Sequence, residues 1–240
     1  MFHTFALTFT LLAAPATPHL YFEQTTIVYV KGEAVGPGVQ TRTWHAGHRM
    51  RLEAADAPGG PALLLHLDED RAWRLDPERQ VAVALDGARL RARSQADAAL
   101  AAGLMGGDEE GSVRSSPLEG SRTIAGHECR GFRLVGPSVQ MVVWVAETLP
   151  VGVEVFADFL EWSGASRSLG GLLAEVRALP GFPLRTHTRV EVLGETRDTV
   201  STVTLIDVGP QPAELFDVPI GWRVEAEPGS IVAPENGDPE

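Results

Sequence analysis

His127 and Cys129, in the stretch RTIAGHECRGFRLV (residues 122–135), are the pair whose types and spacing best suit chemistry. One residue separates them, so on a strand both side chains point to the same face and a thiolate–imidazole pair is sterically feasible. The alternative is that His127 lies beside a turn while Cys129 packs inward, since free cysteine is among the most buried residue types. The segment offers no orienting acid and no second ligand pair, which favours packing over reactivity.

The other polar constellations lack a catalytic or metal-binding signature. His45 and His48 form an H-x-x-H pair, but they straddle a predicted hairpin turn without an acidic ligand nearby, which favours two surface histidines over a zinc site. Asp68 and Asp70 open a segment like a calcium loop that lacks the central glycine and the twelfth-position glutamate. The serines of residues 163–168 lack a G-x-S-x-G context, and H-E-x-x-H, P-loop and G-x-G-x-x-G motifs are absent. We therefore predict no catalytic residue, no metal site and no cofactor.

Large apolar side chains are the remaining candidates for a site. Several aromatic residues, Trp162 among them, fall on elements that should face one another across a sheet and a helix. They are either plain core or the lining of a concave apolar pocket, the common form of a lipid or small-molecule site. The predicted lining set is Trp44, Trp73, Trp144, Phe156, Phe159, Leu160, Leu172 and Leu173.

The elements that must position these residues are mostly strands. Alternating runs separated by turn signals predict a strand at 20–30, a hairpin at 39–54, three strands in 62–86, three in 113–147, two at 184–208 and a closing strand after Pro210. Helical spacing predicts a helix from Ser94 to residue 107, one over 151–162, and one over 169–179 with Ser168 as its N-cap. The sum is a mainly β, α+β fold of about ten antiparallel strands with helices inserted at two points.

The N-terminus and the charge restrict location and partners. An apolar run from Phe5 to Ala14 precedes Ala14-Pro15-Ala16, which predicts a signal peptide over residues 1–16 and export to the periplasm. This run is too short to span a bilayer, and the only cysteine is far from the cleavage point, so we predict neither a transmembrane segment in the mature chain nor a lipoprotein. A net charge of -12 argues against nucleic acid as a partner. Residues 17–225 should form one domain, followed by an acidic, disordered tail at 226–240.

Two stretches carry a resemblance to a known family. The turn Ala125-Gly126-His127-Glu128-Cys129, the strand VWVA at 143–146 and the closing motif LFDVPIGW at 215–222 resemble the envelope proteins of domain of unknown function 4412 (DUF4412). That family is similar to the periplasmic lipoprotein-carrier (LolA/LolB-like) superfamily of Gram-negative bacteria. The resemblance implies a strongly curved antiparallel half-barrel with helices covering its concave face and a cavity for acyl chains. It assigns no residue a role, and the segment 159–184 would add cover that hinders a bulky lipoprotein.

Three functions follow from these observations. The first is a non-catalytic periplasmic protein that binds an apolar ligand, a lipid or acyl chain, in the half-barrel; its partner would be a lipid or an acylated protein. The second is an envelope structural or interaction protein with a filled core, a protein partner and no small ligand. The third, a hydrolase or thiol enzyme centred on Cys129 or the serines, has the weakest basis in the sequence.

Overall fold

The computed structural model describes residues 19–87, 92, 113–137, 139–162, 171–192 and 195–227, without the side chains of 160–162 and 192. The predicted signal peptide, the helix predicted from Ser94 to residue 107, the Ser168 cap and the tail beyond residue 227 lie outside the described residues. Strand β13 reaches Ala226, and the backbone N–H of Glu227 donates to the carbonyl of Ala84.

The described part of the chain forms thirteen strands in one sheet. They are β1 (Leu20–Val30), β2 (Glu33–Ala34), β3 (Val39–Ala46), β4 (Arg49–Ala54), β5 (Ala62–His66), β6 (Arg71–Asp76), β7 (Val81–Asp86), β8 (Arg114–Ile124), β9 (His127–Val135), β10 (Val139–Ala146), β11 (Phe182–Val192), β12 (Glu195–Val208) and β13 (Arg223–Ala226). The expected mainly β class is confirmed, but the total of about ten strands is too low: the predicted segments themselves sum to twelve, and the structure adds β2. β2 was missed because two residues within a Gly/Pro-rich segment leave no alternation to detect.

The sheet is curved and open, and it consists of two meanders joined at its centre. Its strand order is β13-β7-β6-β5-β4-β3-β1-β12-β11-β10-β9-β8, with β2 paired to β1. Strands β3 to β7 form one meander and β8 to β12 the other, each built from sequence neighbours. The pairing of β1 with β12 connects them, from Leu20 opposite Val208 to Val30 opposite Arg197.

One strand departs from the expected antiparallel arrangement, because β13 pairs parallel to β7. Two parallel neighbours cannot be joined by a tight hairpin turn. The chain reaches β13, beside β7, through the segment that follows β12. We call residues 213–222 the clasp: a 3₁₀ turn at Ala213–Phe216 followed by the chain to Trp222. Val218 and Trp222 of the clasp pack on buried residues of β5 to β7, among them Leu64 and Leu75.

Hydrogen bonds connect the clasp to β4 and β5. The carbonyl of Phe216 lies 2.8 Å from Nε2 of the buried His66, and Arg51 Nη1 donates to the carbonyl of Leu215 at 3.2 Å. The Phe216 side chain is itself 2% exposed. The clasp therefore belongs to the folded core of this half of the sheet.

Two short α-helices follow β10: α1 (Glu154–Trp162) and α2 (Leu172–Arg177). Leu172 and Val176 of α2 pack in the cluster around Leu134 and Val143. The described helix α2 is shorter than the predicted 169–179 and begins after Gly171, which provides no side-chain cap. Within the described residues, no helix is long and apolar enough to cross a membrane. That helices cover the whole concave face stays a prediction.

Replacing Phe216 by alanine should destabilise the fold strongly, because it leaves a cavity beneath the clasp. We expect the free energy of unfolding to fall by about 3–4 kcal/mol in urea denaturation. Ile220 of the same clasp is fully exposed, so Ile220→Ala is the matched control and should change stability by less than about 0.5 kcal/mol. A loss below about 1 kcal/mol for Phe216→Ala would contradict a structural role for the clasp.

Candidate functional site

A cavity of about 220 Å³ lies on the sheet where β1, β10, β11 and β12 meet helix α1. One part of its lining is apolar: Phe22, Met141, Phe156, Phe182, Leu184 and Val203. The rings of Phe22 and Phe182 meet edge to face with centroids 5.7 Å apart. Leu184 and Val203 are buried behind them. This part of the cavity can hold hydrocarbon but offers no group that could do chemistry.

The other part of the lining carries neutral polar side chains: Gln24, Thr186, Thr188, Thr199 and Ser201. Strand register brings them together, with Thr186 opposite Ser201, Thr188 opposite Thr199, and Gln24 opposite Val203. Because alternate residues of a strand share a face, the two threonines of β11 follow Leu184 on the cavity side. The hydroxyls of Ser201 and Thr26 are 2.8 Å apart. Along β11 and β12 the lining thus changes from apolar to hydroxyl-bearing, while Met141 on β10 is apolar opposite Thr188.

The structure places one residue of the predicted lining set in this cavity, Phe156. Phe159, on the same helix, packs instead on the cluster around Met50, Leu65 and Ala72. Leu172 is buried in the cluster around Leu134, and Leu173 is half-buried. Leu160 belongs to α1, but its side chain lies outside the described part of the chain.

The three tryptophans of that set lie apart from the cavity and from one another. Trp44 packs against Tyr21 with centroids 5.0 Å apart, and Trp73 packs edge-on against His66 at 4.8 Å. Trp144 is buried beneath the Arg122 guanidinium, which lies 4.5 Å from the ring centroid. Sequence reasoning weighted large aromatic residues and so missed the polar lining. The signal for it was the alternation of Thr186 with Thr188 and of Thr199 with Ser201 on two strands predicted to pair.

The His127/Cys129 pair is structural. Cys129 is 1% exposed, and its Sγ donates to the backbone carbonyl of His127 at 3.5 Å. Burial raises the pKa of the Cys129 thiol, so little thiolate forms at neutral pH. The turn before it has positive φ at both Ala125 and Gly126, the geometry of a tight hairpin turn. The expectation that Cys129 packs inward is confirmed.

A second polar cluster joins β11 to β12. His187 Nε2 lies 2.6 Å from Asp198 Oδ1, and Arg189 Nε donates to the same oxygen at 2.8 Å. Burial alone would raise the pKa of Asp198, but the hydrogen bonds from Arg189 and His187 outweigh it and hold that pKa below its ordinary value. Among the described residues, no group of three or more His, Cys, Asp or Glu side chains could hold a metal ion. We interpret the cluster as a cross-strand ion pair.

His45 corrects the expectation of two surface histidines. His48 is exposed in the turn, but His45 is only 2% exposed, and its Nδ1 has no hydrogen-bond partner. The turn was located correctly, yet alternation along β3 directs His45 to the same face as the buried Thr43. Burial lowers the pKa of His45 to about 4, against a smaller opposite effect of Asp158 on α1, while His48 and His19 lower it slightly more. His45 is therefore neutral at pH 7.

The segment from β8 to the clasp carries the family signature. Residues 107–222 match the model of the DUF4412 family, a domain of unknown function. The resemblance read from the Ala125–Cys129 turn and the closing motif is confirmed. The DUF4412 match includes all of the cavity lining described above except Phe22 and Gln24, which lie on β1. No curated protein matches the sequence.

Several solved structures are similar to this chain over most of its length. They include PNGF-II (11% identity, TM-score 0.37, covering 87% of this chain and 31% of that one) and an uncharacterized conserved protein from Thermus thermophilus (14%, 0.43, 89% and 92%). A LolA superfamily protein from Nitrosomonas europaea is similar at 13% identity and a TM-score of 0.34, covering 85% of this chain and 91% of that one. This chain thus spans about a third of PNGF-II. Likenesses of this size carry no information about activity.

Acidification should destabilise the protein through His45. The unfolded chain takes up a proton near pH 6.5 and the folded chain only near pH 4, so stability is unaffected above pH 6.5 and falls as pH drops below it. Between pH 7.5 and 4.5 this costs about 2–3 kcal/mol. Urea denaturation should show the difference. Over the same pH interval, the free energy of unfolding of His45→Leu should fall by about 2–3 kcal/mol less than that of the native chain. His48→Leu is the matched control; if it behaves like His45→Leu, burial of His45 is not the cause.

Proposed function

We propose that this DUF4412 protein is a non-catalytic periplasmic protein that binds an apolar ligand, a lipid or an acyl chain, in the cavity between the sheet and α1. The observation that carries the proposal is the lining: on β11 and β12 it changes from Leu184 and Val203 to a row of hydroxyls, and Met141 and Phe156 keep its β10 flank apolar. An amphiphile matches such a gradient, because its chain leaves water while its head keeps hydrogen bonds. The buried thiol of Cys129 gives the alternative thiol enzyme no support.

The size of the cavity limits the ligand. Its volume of about 220 Å³ is below the range of about 300–1,000 Å³ that is usual for small-molecule pockets. We therefore propose one chain, or the end of one chain, as the occupant, with no room for a whole diacyl lipid.

Binding should increase with chain length and then level off. We expect straight-chain amphiphiles to displace an apolar fluorescent dye from the purified mature protein, with affinity rising about fourfold per methylene up to the length that fills the cavity. Thr188→Phe should block the cavity and weaken binding at least tenfold. Thr123→Phe is the matched control, since Thr123 is exposed on β8 outside the lining, and it should bind as the native chain does.

Native mass spectrometry of the same preparation adds an independent measurement. If no lipid co-purifies and the dye is not bound, the ligand-binding proposal fails. The alternative of an envelope interaction protein with a filled core would then account for the fold, and capture from envelope extracts should yield a protein partner. Equal loss of binding in both threonine variants would show that the dye occupies another surface.

The proposed location rests on the N-terminal sequence. Expressed from Met1 in a Gram-negative host, the protein should appear in the osmotic-shock fraction. Its mass should be that of a chain beginning at Thr17, because signal peptidase cleaves after small residues in an A-x-A pattern. A full-length chain retained in the cytoplasm would contradict periplasmic export.

A further inference from the structure

We infer that the ligand of the cavity carries an uncharged, hydrogen-bonding head, an ester or amide of an acyl chain, and not a free carboxylate. This inference rests on the proposed function and specifies its ligand class. It starts from the hydroxyl-lined part of the cavity, where Thr186, Thr188 and Thr199 lie beyond the apolar part on β11 and β12. A chain whose end lies against Phe22 and Phe182 would place its head among them.

The polar side chains at that end have unused hydrogen-bonding capacity. Ser201 is paired with Thr26, but Gln24, Thr186, Thr188 and Thr199 have no side-chain partner among the described residues. A threonine hydroxyl can donate one hydrogen bond and accept others, and the amide of Gln24 can do both. An ester or amide group needs donors for its carbonyl oxygen, and an amide or a glycerol hydroxyl also needs acceptors. Both requirements are met here.

Alternation along β11 directs Arg185, the one cation among the described lining residues, to the face opposite Thr186. Its guanidinium donates to Thr202, which lies outside the lining. Arg197 lies two residues beyond Thr199 on β12, is exposed, and does not line the cavity. A carboxylate that leaves water without a charged partner pays a large desolvation cost, whereas a neutral ester or amide loses far less. The lining therefore selects against free fatty acids.

The direct test compares chain-matched ligands at pH 7.5, where a fatty acid is ionised. In dye displacement from the native mature chain, we expect the affinity for monooctanoylglycerol and for octanamide to be at least tenfold higher than that for octanoate. Thr188→Val combined with Thr199→Val keeps the shape and removes two hydroxyls. This double variant should bind monooctanoylglycerol at least fivefold more weakly than the native chain does, and it should bind octane equally well.

A charge introduced at the same position should reverse the preference. Thr188→Lys should tighten the binding of octanoate at least tenfold, and Thr123→Lys, which places the same charge on exposed β8 outside the lining, should not. If octanoate binds the native chain as tightly as the two neutral ligands, the inference is wrong although the proposed function stands. If none of the octyl ligands binds the native chain, the proposed function itself is overturned.

Discussion

The pairing of β1 with β12 is the constraint on which the rest of the structure depends. Every other long antiparallel pairing joins sequence neighbours, except that of β1 with β3, which are separated by the two-residue strand β2. β1 and β12 are separated by most of the chain, so their pairing carries the main loop-closure cost of folding. What it gains is a continuous sheet with Leu20 and Val203 in one apolar cluster. It also brings Phe22 and Gln24 to the strands that supply the rest of the cavity.

A shift in register within this pairing shapes the cavity. Glu23 pairs with Leu205 and Gln24 with Val203, so Thr204 is the extra residue of a bulge in β12. A bulge bends its strand and increases the local twist. Its position between the levels of Val203 and Phe22 places the bend within the apolar part of the lining.

The meanders were predictable because turn residues and alternation are properties of short sequence segments. The site was not, because it depends on the pairing of strands that are distant in sequence. Turn residues and period-two alternation located β3 to β7 and β8 to β12, and the stripe of Val155, Phe156 and Phe159 located α1. Which face each residue occupies depends on partner strands: Trp44 pairs with Tyr21, but Phe22 pairs with Thr43, so Trp44 and Phe22 point to opposite faces. For the same reason, Trp144 and Met141, three positions apart on β10, point to opposite faces of the sheet. A single cavity could not have been lined by all the aromatic residues, and only the register shows it.

Helix α1 explains why the cavity is small. Its Val155 packs in the cluster around Leu20 and Leu184, Phe156 packs against the cluster around Leu134, and Phe159 against the cluster around Met50. A nine-residue helix is marginal by itself, so these contacts with both meanders hold it in place. A ligand longer than the cavity must displace Phe156, and Phe156 cannot move far without loosening Phe159 from the other meander. In the proposed function, the packing of α1 on both halves of the sheet limits the capacity of the site, and the strand residues select the head group.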